Sequence, residues 1–390
     1  MKKLIATVVK KMKFLYSLYF YLFSFFINLM KLFVKTDEEL ILINSFGGKK
    51  FDDSPKALFD AMLKDSRFED KKLVWAFHEP EKFNVKGAKK IKTDTFTYFK
   101  TALKARCWIT NSAIERGLGF KGKNTFYFNT WHGTPVKKMG ADISSENQSF
   151  KSKSKSRIDV MTAQSDFEAD IFSRVFGIPR ENFLMCGLPR NDALVKYTEE
   201  EKSAIRKKLG IEDSKKVILY APTFREYERD SFQNCVLVPP MDLGKWEKEL
   251  GDKYCLLFRA HYEVGKVMNV SDNDFVKNQT AHPSLDELMI ASDILISDYS
   301  SIFFDFSVMD KPMLHFTYDF ESYSQKRGMY FDIRELLSGA DNEDEIISLI
   351  KNMDEEKETE KVKKFKEKYL NYYGNATQIS LDCIIKNIEK

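Results

Sequence analysis

Several signatures are missing from this 390-residue sequence, and each absence removes a class of function. There is no CxxC pair and no Cys/His ligand spacing. The five cysteines (Cys107, Cys186, Cys235, Cys255, Cys383) are scattered and odd in number, which reads as reduced thiols of a cytosolic protein rather than a disulfide framework or a structural zinc site. No GxxxxGK[ST] loop occurs, and no GxGxxG follows the first apolar run; neither a P-loop NTPase nor a dinucleotide oxidoreductase is supported. The formal charge is only +4, too small to argue for nucleic acid, and no RNA- or DNA-binding motif is present. Histidine is scarce, with five in the chain, so each one is informative.

Hydrophobic residues at 43% and charged residues at 31% describe a globular protein, and the length suffices for two domains with separate cores. Aromatics are abundant, and the excess lies near the N-terminus. Phe14 to Met30 reads FLYSLYFYLFSFFINLM without a charge, between Lys10, Lys11 and Lys13 on one side and Lys31 and Lys35 on the other. A span needs about 20 apolar residues, and the lysine excess ahead of this run would carry the rest of a spanning chain to the outside. A helix lying flat, aromatics in the bilayer interface and lysines on anionic lipid, fits better. No small-residue cleavage site follows, so a removable signal peptide is not expected. Residues 1–36 are therefore expected to form a membrane-associating segment on the cytoplasmic face, peripheral and monotopic.

Beyond it, apolar runs at 39–46, 71–78, 105–112, 124–131, 158–165 and 182–189 alternate with helical patterns such as SPKALFDAMLKD, which opens with Ser54 as cap and Pro55 in the first turn. A second series runs through 215–223, 253–261, 293–300 and 311–318. Strand and helix alternation predicts parallel sheets wrapped by helices. The expected division is 37–200, 201–370, and a terminal helix at 371–390 returning to the first domain, with SFKSKSKS (149–156) as a basic loop. Two such domains facing each other place their strand C-termini at a shared cleft.

The polar motifs all lie at strand ends. WHGTPVKK puts His132 after a strand, with Gly133 for a sharp turn and Pro135 to open a helix. A histidine there can take a proton from an attacking hydroxyl, and Lys137 and Lys138 could hold phosphate. The alternative is a buried histidine satisfying backbone groups. YAPTFRE supplies Thr223 and Arg225, FRAHY supplies Arg259 and His261, and ISDYSSIFFDF supplies Asp298, Ser300 and Ser301 at a strand-to-helix junction. Hydroxyls and N–H groups at a helix start favour an anion, although simple N-capping explains the serines equally well. No DxD-like pair accompanies them. Asp298 could take a metal, but Arg225, Arg259, His261 and Arg327 could neutralise a diphosphate without one, so no metal is expected.

With these residues in hand, the chain resembles the CDP-glycerol glycerophosphotransferase family, enzymes of wall teichoic acid synthesis. The matching pieces are WHGTPVKKMG, GLPRND, APTFR, RAH, SDYSSIFFDF and RGMYFD, in the family's order. The resemblance implies an α/β GT-B fold: two doubly wound Rossmann-like domains facing a central cleft, the nucleotide held mainly by the C-terminal one. It implies His132 as general base and His261 with Arg259, Ser300 and Ser301 as the diphosphate-stabilising set. Thr223, Arg225 and Arg327 resemble donor-phosphate contacts, and Arg190 and Asp192 lie in a motif near the cleft. The expected donor is CDP-glycerol, with no cofactor, and the acceptor an undecaprenyl-diphosphate-linked saccharide. Addition of a first glycerol phosphate (a primase) is favoured over a poly(glycerol phosphate) polymerase or a CDP-ribitol enzyme. A GT-B sugar transferase or epimerase, or a tethered polyanion-binding protein, are the readings from other classes.

Overall fold

The computed structural model describes residues 13–143, 157–223, 225, 239–260 and 270–389; His261, Cys235 and the basic loop at 149–156 lie outside the described residues. Among these, one sheet contains β1 (Asp37–Asn44), β2 (Lys72–Phe77), β3 (Lys89–Lys92), β4 (Ala105–Thr110), β5 (Phe126–Asn129), β6 (Val160–Ala163) and β7 (Phe183–Met185). Their spatial order is β3-β2-β1-β4-β5-β6-β7. The other contains β8 (Lys216–Ala221), β9 (Tyr254–Phe258), β10 (Val276–Asn278), β11 (Ile294–Ser297), β12 (Met313–Phe316) and β13 (Ser338–Ala340), ordered β10-β9-β8-β11-β12-β13. The pairings are parallel. Each sheet reverses its winding once, between β1 and β4 and between β8 and β11, and such a reversal leaves a crevice at the carboxyl ends of the two strands.

Burial on both faces explains why these strands read as apolar runs. In β1, Ile41 and Ile43 enter a core with Trp75 and Phe77, while Leu40 and Leu42 enter the opposite core with Trp108 and Tyr127. Each such side chain contributes about 1.5–3 kcal/mol when fully buried. The strands that the pattern does not reveal are edges: β3 is KKIK, with Ile91 alone buried, and β10 and β13 border the second sheet. Charge on an edge strand discourages pairing with other chains and erases the apolar signal at the same time.

Helix α1 (Lys13–Lys31) is docked on the first sheet's domain. Ile27 is buried, Phe23 meets Phe99 edge to face at 5.2 Å, and Ser24 Oγ donates to Leu118 O at 2.8 Å. Lys31 Nζ donates to Lys121 O at 2.7 Å. The opposite side is also apolar and lies open, with Tyr21, Leu22, Phe25, Phe26 and Leu29 exposed, followed by Leu32 and Phe33. Among the described residues no helix is long and apolar enough to cross a membrane.

Helix α2 (Asp53–Met62) starts two residues earlier than its sequence suggests. Asp52 occupies the cap position, and Asp53 is held at φ 68°, a left-handed backbone that is costly for a side chain with a Cβ. Helix α3 (Phe96–Lys104) is capped by Thr95, and α4 (Asp166–Phe176) by Ser165, with Gly177 at φ 67° closing its far end. After β7, α5 (Asp192–Lys196) and α6 (Glu199–Lys208) already belong to the second core, where Leu194 and Ile205 pack with Val217 and Leu219. The second sheet is wrapped by α7 (Leu243–Leu250), α8 (Leu285–Ala291), α9 (Ile302–Ser307), α10 (Phe320–Arg327), α11 (Glu343–Lys351) and α12 (Glu355–Tyr369).

The last helix, α13 (Ala376–Ile388), packs on the first sheet, with Leu381, Ile384, Ile385 and Ile388 in the core of Ile41 and Cys107. The chain thus passes between the domains twice, and the two passages touch. A Cβ on Gly187, whose φ is 92°, would lie 2.6 Å from Tyr372 O. Elsewhere the domains share a short antiparallel ladder: Lys137 pairs with Met329, Lys138 N donates to Gly328 O at 3.0 Å, and Tyr330 N donates to Val136 O at 2.9 Å.

Candidate active site

The two crevices open into one cavity of about 580 Å³. From the first domain it is lined by Phe46, Lys50, Asp52, Asp53 and His132; from the second by Arg259, Thr280, Asp286, Ser300, Ser301 and Asp305; Arg190 lies between. This is the place where open parallel sheets bind ligands.

His132 is fixed by the strand ends around it. Thr130 N continues the β4 pairing by donating to Thr110 O at 2.9 Å, and Trp131 N donates to Asn129 Oδ1 at 2.7 Å. Trp131 sits at φ 48° with its ring stacked on the imidazole at 4.1 Å. The imidazole Nδ1 lies 2.7 Å from Asn111 O. A carbonyl can only accept, so Nδ1 carries the proton and Nε2 is the basic nitrogen. Burial holds the imidazole below its usual pKa, partly opposed by its hydrogen bond to Asn111 O and the charge of Asp53. The ring is therefore neutral near pH 7 and able to accept a proton.

Asn111 serves both sides of the first crevice, because its Oδ1 accepts from Phe46 N at 2.7 Å while its carbonyl holds His132. Phe46 in turn lies 5.4 Å from the imidazole ring. On the other wall Ser300 and Ser301 precede α9, with Ser300 Oγ accepting from Ile302 N at 3.3 Å. Gly133, at φ 137°, is so close to this turn that a Cβ there would lie 2.6 Å from Ser301 Oγ.

Carboxylates are dense in this cavity. Burial pushes Asp286 up to about 7 and raises Asp52 and Asp305. Glu168, also pushed up to about 7 by burial, stands behind the His132 turn, where Oε1 accepts from Thr134 Oγ1 at 2.9 Å and Oε2 from Gln164 N at 2.6 Å. Gln164 and Asn191 extend this network to Asp305. Arg190 neutralises part of the negative charge, pairing with Asp53 and Asp305. Arg259 lines the cavity while its Nη1 donates to three main-chain carbonyls, those of Gln279, Thr280 and His282. Among the described residues, Thr223 Oγ1 and Thr280 Oγ1 are buried without a hydrogen-bond partner. Native structures leave few such groups unsatisfied, and a polar ligand in the cavity would complete Thr280.

Of the side chains singled out in the sequence, His132, Arg190, Arg259, Ser300 and Ser301 come together on this cavity. Others do not. Arg225 is 1% exposed and locked between Asp298, at 2.8 Å, and Asp319, at 2.7 Å, beneath the rings of Tyr299, Tyr318 and Tyr323. In this structure the buried guanidinium is already neutralised by carboxylates and lies off the cavity lining. Asp298 is likewise occupied, since it also accepts from Thr223 N and Tyr299 N. Lys137 and Lys138 lie on the interdomain ladder with Gly328 and Met329, away from the cavity lining, and Arg327 ends α10 just before that ladder. Asp192 caps α13 by accepting from Ala376 N and Thr377 N at 3.0 and 2.8 Å. His261 lies outside the described residues.

Lys50, Asp52, Asp53, Thr280, Asp286 and Asp305 are polar cavity residues that motif reading does not find, as is Asn111 behind His132. Asp305 had a signal of its own. An aspartate flanked by phenylalanines in IFFDF faces burial, and a buried carboxylate requires a partner.

The chain is similar to known proteins over most of its length. Residues 26–386 match the family model described as CDP-Glycerol:Poly(glycerophosphate) glycerophosphotransferase. A teichoic acid poly(glycerol phosphate) polymerase of Staphylococcus epidermidis is 32% identical over 369 residues, 90% of this chain and 51% of that protein, so the chain spans about half of that relative. A teichoic acid glycerol-phosphate transferase of Staphylococcus aureus is 32% identical over 82% of this chain and 85% of its own length. The wall teichoic acid polymerase TagF superposes with a TM-score of 0.83 at 31% identity, covering 91% of this chain and 90% of the solved one; a histidine-to-asparagine form of TagF soaked with CDPG gives 0.82. With a family model spanning both domains and the cavity between them, the chain belongs to the CDP-glycerol:poly(glycerophosphate) glycerophosphotransferase family.

Proposed function

We propose that this chain transfers glycerol phosphate from CDP-glycerol to a hydroxyl of a lipid-linked acceptor in teichoic acid synthesis, adding the first unit and releasing CMP. The observation that carries this reading is a neutral histidine with a defined basic nitrogen on one wall of a two-domain cavity, facing Arg259, Ser300 and Ser301 on the other. The acceptor hydroxyl gives its proton to His132 Nε2, and its oxygen forms a bond to the phosphorus that carries glycerol. The bond from that phosphorus to the bridging oxygen breaks, and CMP leaves with the electron pair. Arg259 and the two serine hydroxyls meet the leaving charge; His261, two residues beyond Arg259 in the chain, belongs to this reading on sequence grounds. Most of the acceleration comes from placing the reactants and neutralising charge, and the step is proposed to run without a metal.

The first-unit reading is supported by likeness to a teichoic acid glycerol-phosphate primase of Bacillus subtilis, 33% identical over 68% of this chain and 69% of that protein. The open apolar side of α1 supports peripheral attachment to the cytoplasmic leaflet, where a lipid-linked acceptor and a water-soluble donor are both within reach. Mass spectrometry of the product from CDP-glycerol and a purified undecaprenyl-diphosphate-linked saccharide tests the assignment. One added unit supports it, many units would convert it to a polymerase, and no CMP release would overturn it. The His132→Gln protein should bind CDP-glycerol normally and turn over at a small fraction of the unsubstituted rate, on the order of 10⁻³ or less.

A further inference from the structure

Arg190 lines the substrate cavity, yet its guanidinium is directed at protein acceptors. Nη1 donates to His132 O at 3.1 Å and to the Asp53 carboxylate, and Nη2 donates to both oxygens of Asp305 at 3.0 and 2.8 Å. Its main-chain N donates to Ser54 Oγ at 3.4 Å. The side chains of Arg190, Asp53 and Asp305 are 10%, 5% and 4% exposed. Three separate elements therefore converge on one fork: the start of α2, the turn that carries His132, and α9 of the second domain. On the first-domain side Asp53, at φ 68°, and Trp131, the residue before His132, at φ 48°, are held in left-handed backbone. Such conformations cost of order 1–3 kcal/mol each and persist where surrounding contacts over-determine them.

We propose that Arg190 is a positioning residue for His132, holding the turn of the base at one place between the two domains through the Asp53–Arg190–Asp305 bridge. The proposal rests on the reading of His132 as the base. A carbonyl held by a fork that is anchored on both sides cannot drift, and an error of about 1 Å in a reacting group can cost roughly 10²-fold in rate.

The bridge also sets the charge that the imidazole experiences. Asp53 favours the protonated ring and Arg190 disfavours it. Lys50, Asp52, Arg259, Asp286 and Asp305 face the same cavity, and Glu168 reaches the turn through Thr134. With its two aspartates charged, the bridge carries a net charge of about −1. Removing the arginine alone makes it more negative and stabilises imidazolium. Removing Arg190 and Asp53 together restores the original sum but not the geometry.

The test is the pH profile of kcat and kcat/KM for the full chain with CDP-glycerol and a soluble acceptor analogue. Arg190→Lys keeps the charge and loses the fork; kcat should fall about 10²-fold with the acid limb unmoved and the KM for CDP-glycerol within about threefold. Arg190→Gln should lose kcat and move the acid limb upward by about one unit, and Arg190→Gln with Asp53→Asn should return the limb while kcat stays low. An Arg190→Gln protein of normal melting temperature with an unmoved limb would overturn the proposal, as would Arg190→Lys with kcat within about threefold of the unsubstituted chain. If the Gln variants do not fold, the kcat of Arg190→Lys against its donor KM decides. A fully active His132→Gln protein, by contrast, sinks the base reading itself.

Discussion

Gly133 and Ser301, on opposite domains, approach so closely that a methyl group on the glycine would lie 2.6 Å from the serine oxygen. The contact joins the turn of His132 to the turn of Ser300 and Ser301 on the opposite wall of the cavity. Gly133→Ala adds a methyl where the φ of 137° already disfavours any side chain. The substitution should spread the two walls and lower kcat/KM by 10²-fold or so, while the melting temperature falls by only a few degrees. Near-unchanged kcat/KM would show that the two turns need not meet during catalysis.

Arg225 offers a test of a different kind, because its partners are carboxylates and not a ligand. Arg225→Ala leaves Asp298 and Asp319 buried without their cation, at a cost of about 3–5 kcal/mol. Denaturant unfolding should show that loss in the free protein. A donor-phosphate contact would instead leave stability intact and raise the KM for CDP-glycerol.

Glu168 makes stability depend on pH. Its folded-state pKa is raised to about 7 by burial, so between the ordinary glutamate range near pH 4.3 and about pH 7 the folded protein keeps a proton that the unfolded chain has released. Stability from this group therefore declines as pH rises through that window. The Glu168→Gln protein lacks the decline, with Gln still able to serve Gln164 N and Thr134. Its melting temperature relative to the unsubstituted chain should rise from pH 5 to pH 8, by an amount corresponding to about 3 kcal/mol at most. A constant difference across that range would exclude the effect.

The open side of α1 should carry membrane affinity. Replacing Phe25 and Phe26, which are 63% and 59% exposed, by Ser removes apolar area without touching the docked side of Phe23 and Ile27. Co-sedimentation with vesicles containing anionic lipid should drop at least tenfold, with turnover of a soluble acceptor retained. Equal sedimentation of both proteins would assign the exposed side to something other than lipid.

Much of this arrangement is legible in the sequence because its pieces are local. Apolar runs at 39–46 and 215–223 correspond to β1 and β8, the central strands beside each winding reversal, and the glycine after His132 marks a turn. The unread portions depend on distant partners. Nothing near Arg225 tells whether its guanidinium meets a phosphate or Asp319, 94 positions later. Asp53 and Arg190 are 137 positions apart, and each alone resembles an ordinary surface charge. Three of the four edge strands, β3, β10 and β13, are only three or four residues long and carry little apolar sequence, so no apolar run marks them.

The contact between Gly187 and Tyr372 brings the two crossings of the chain to a single narrow point. A narrow joint resists little rotation by itself. Separation of the two walls is instead opposed at the other end, where Val136 to Lys138 are hydrogen-bonded to Gly328 to Tyr330. Any widening of the cleft at this end breaks these hydrogen bonds, and the strand segment that makes them is continuous in sequence with the turn of His132.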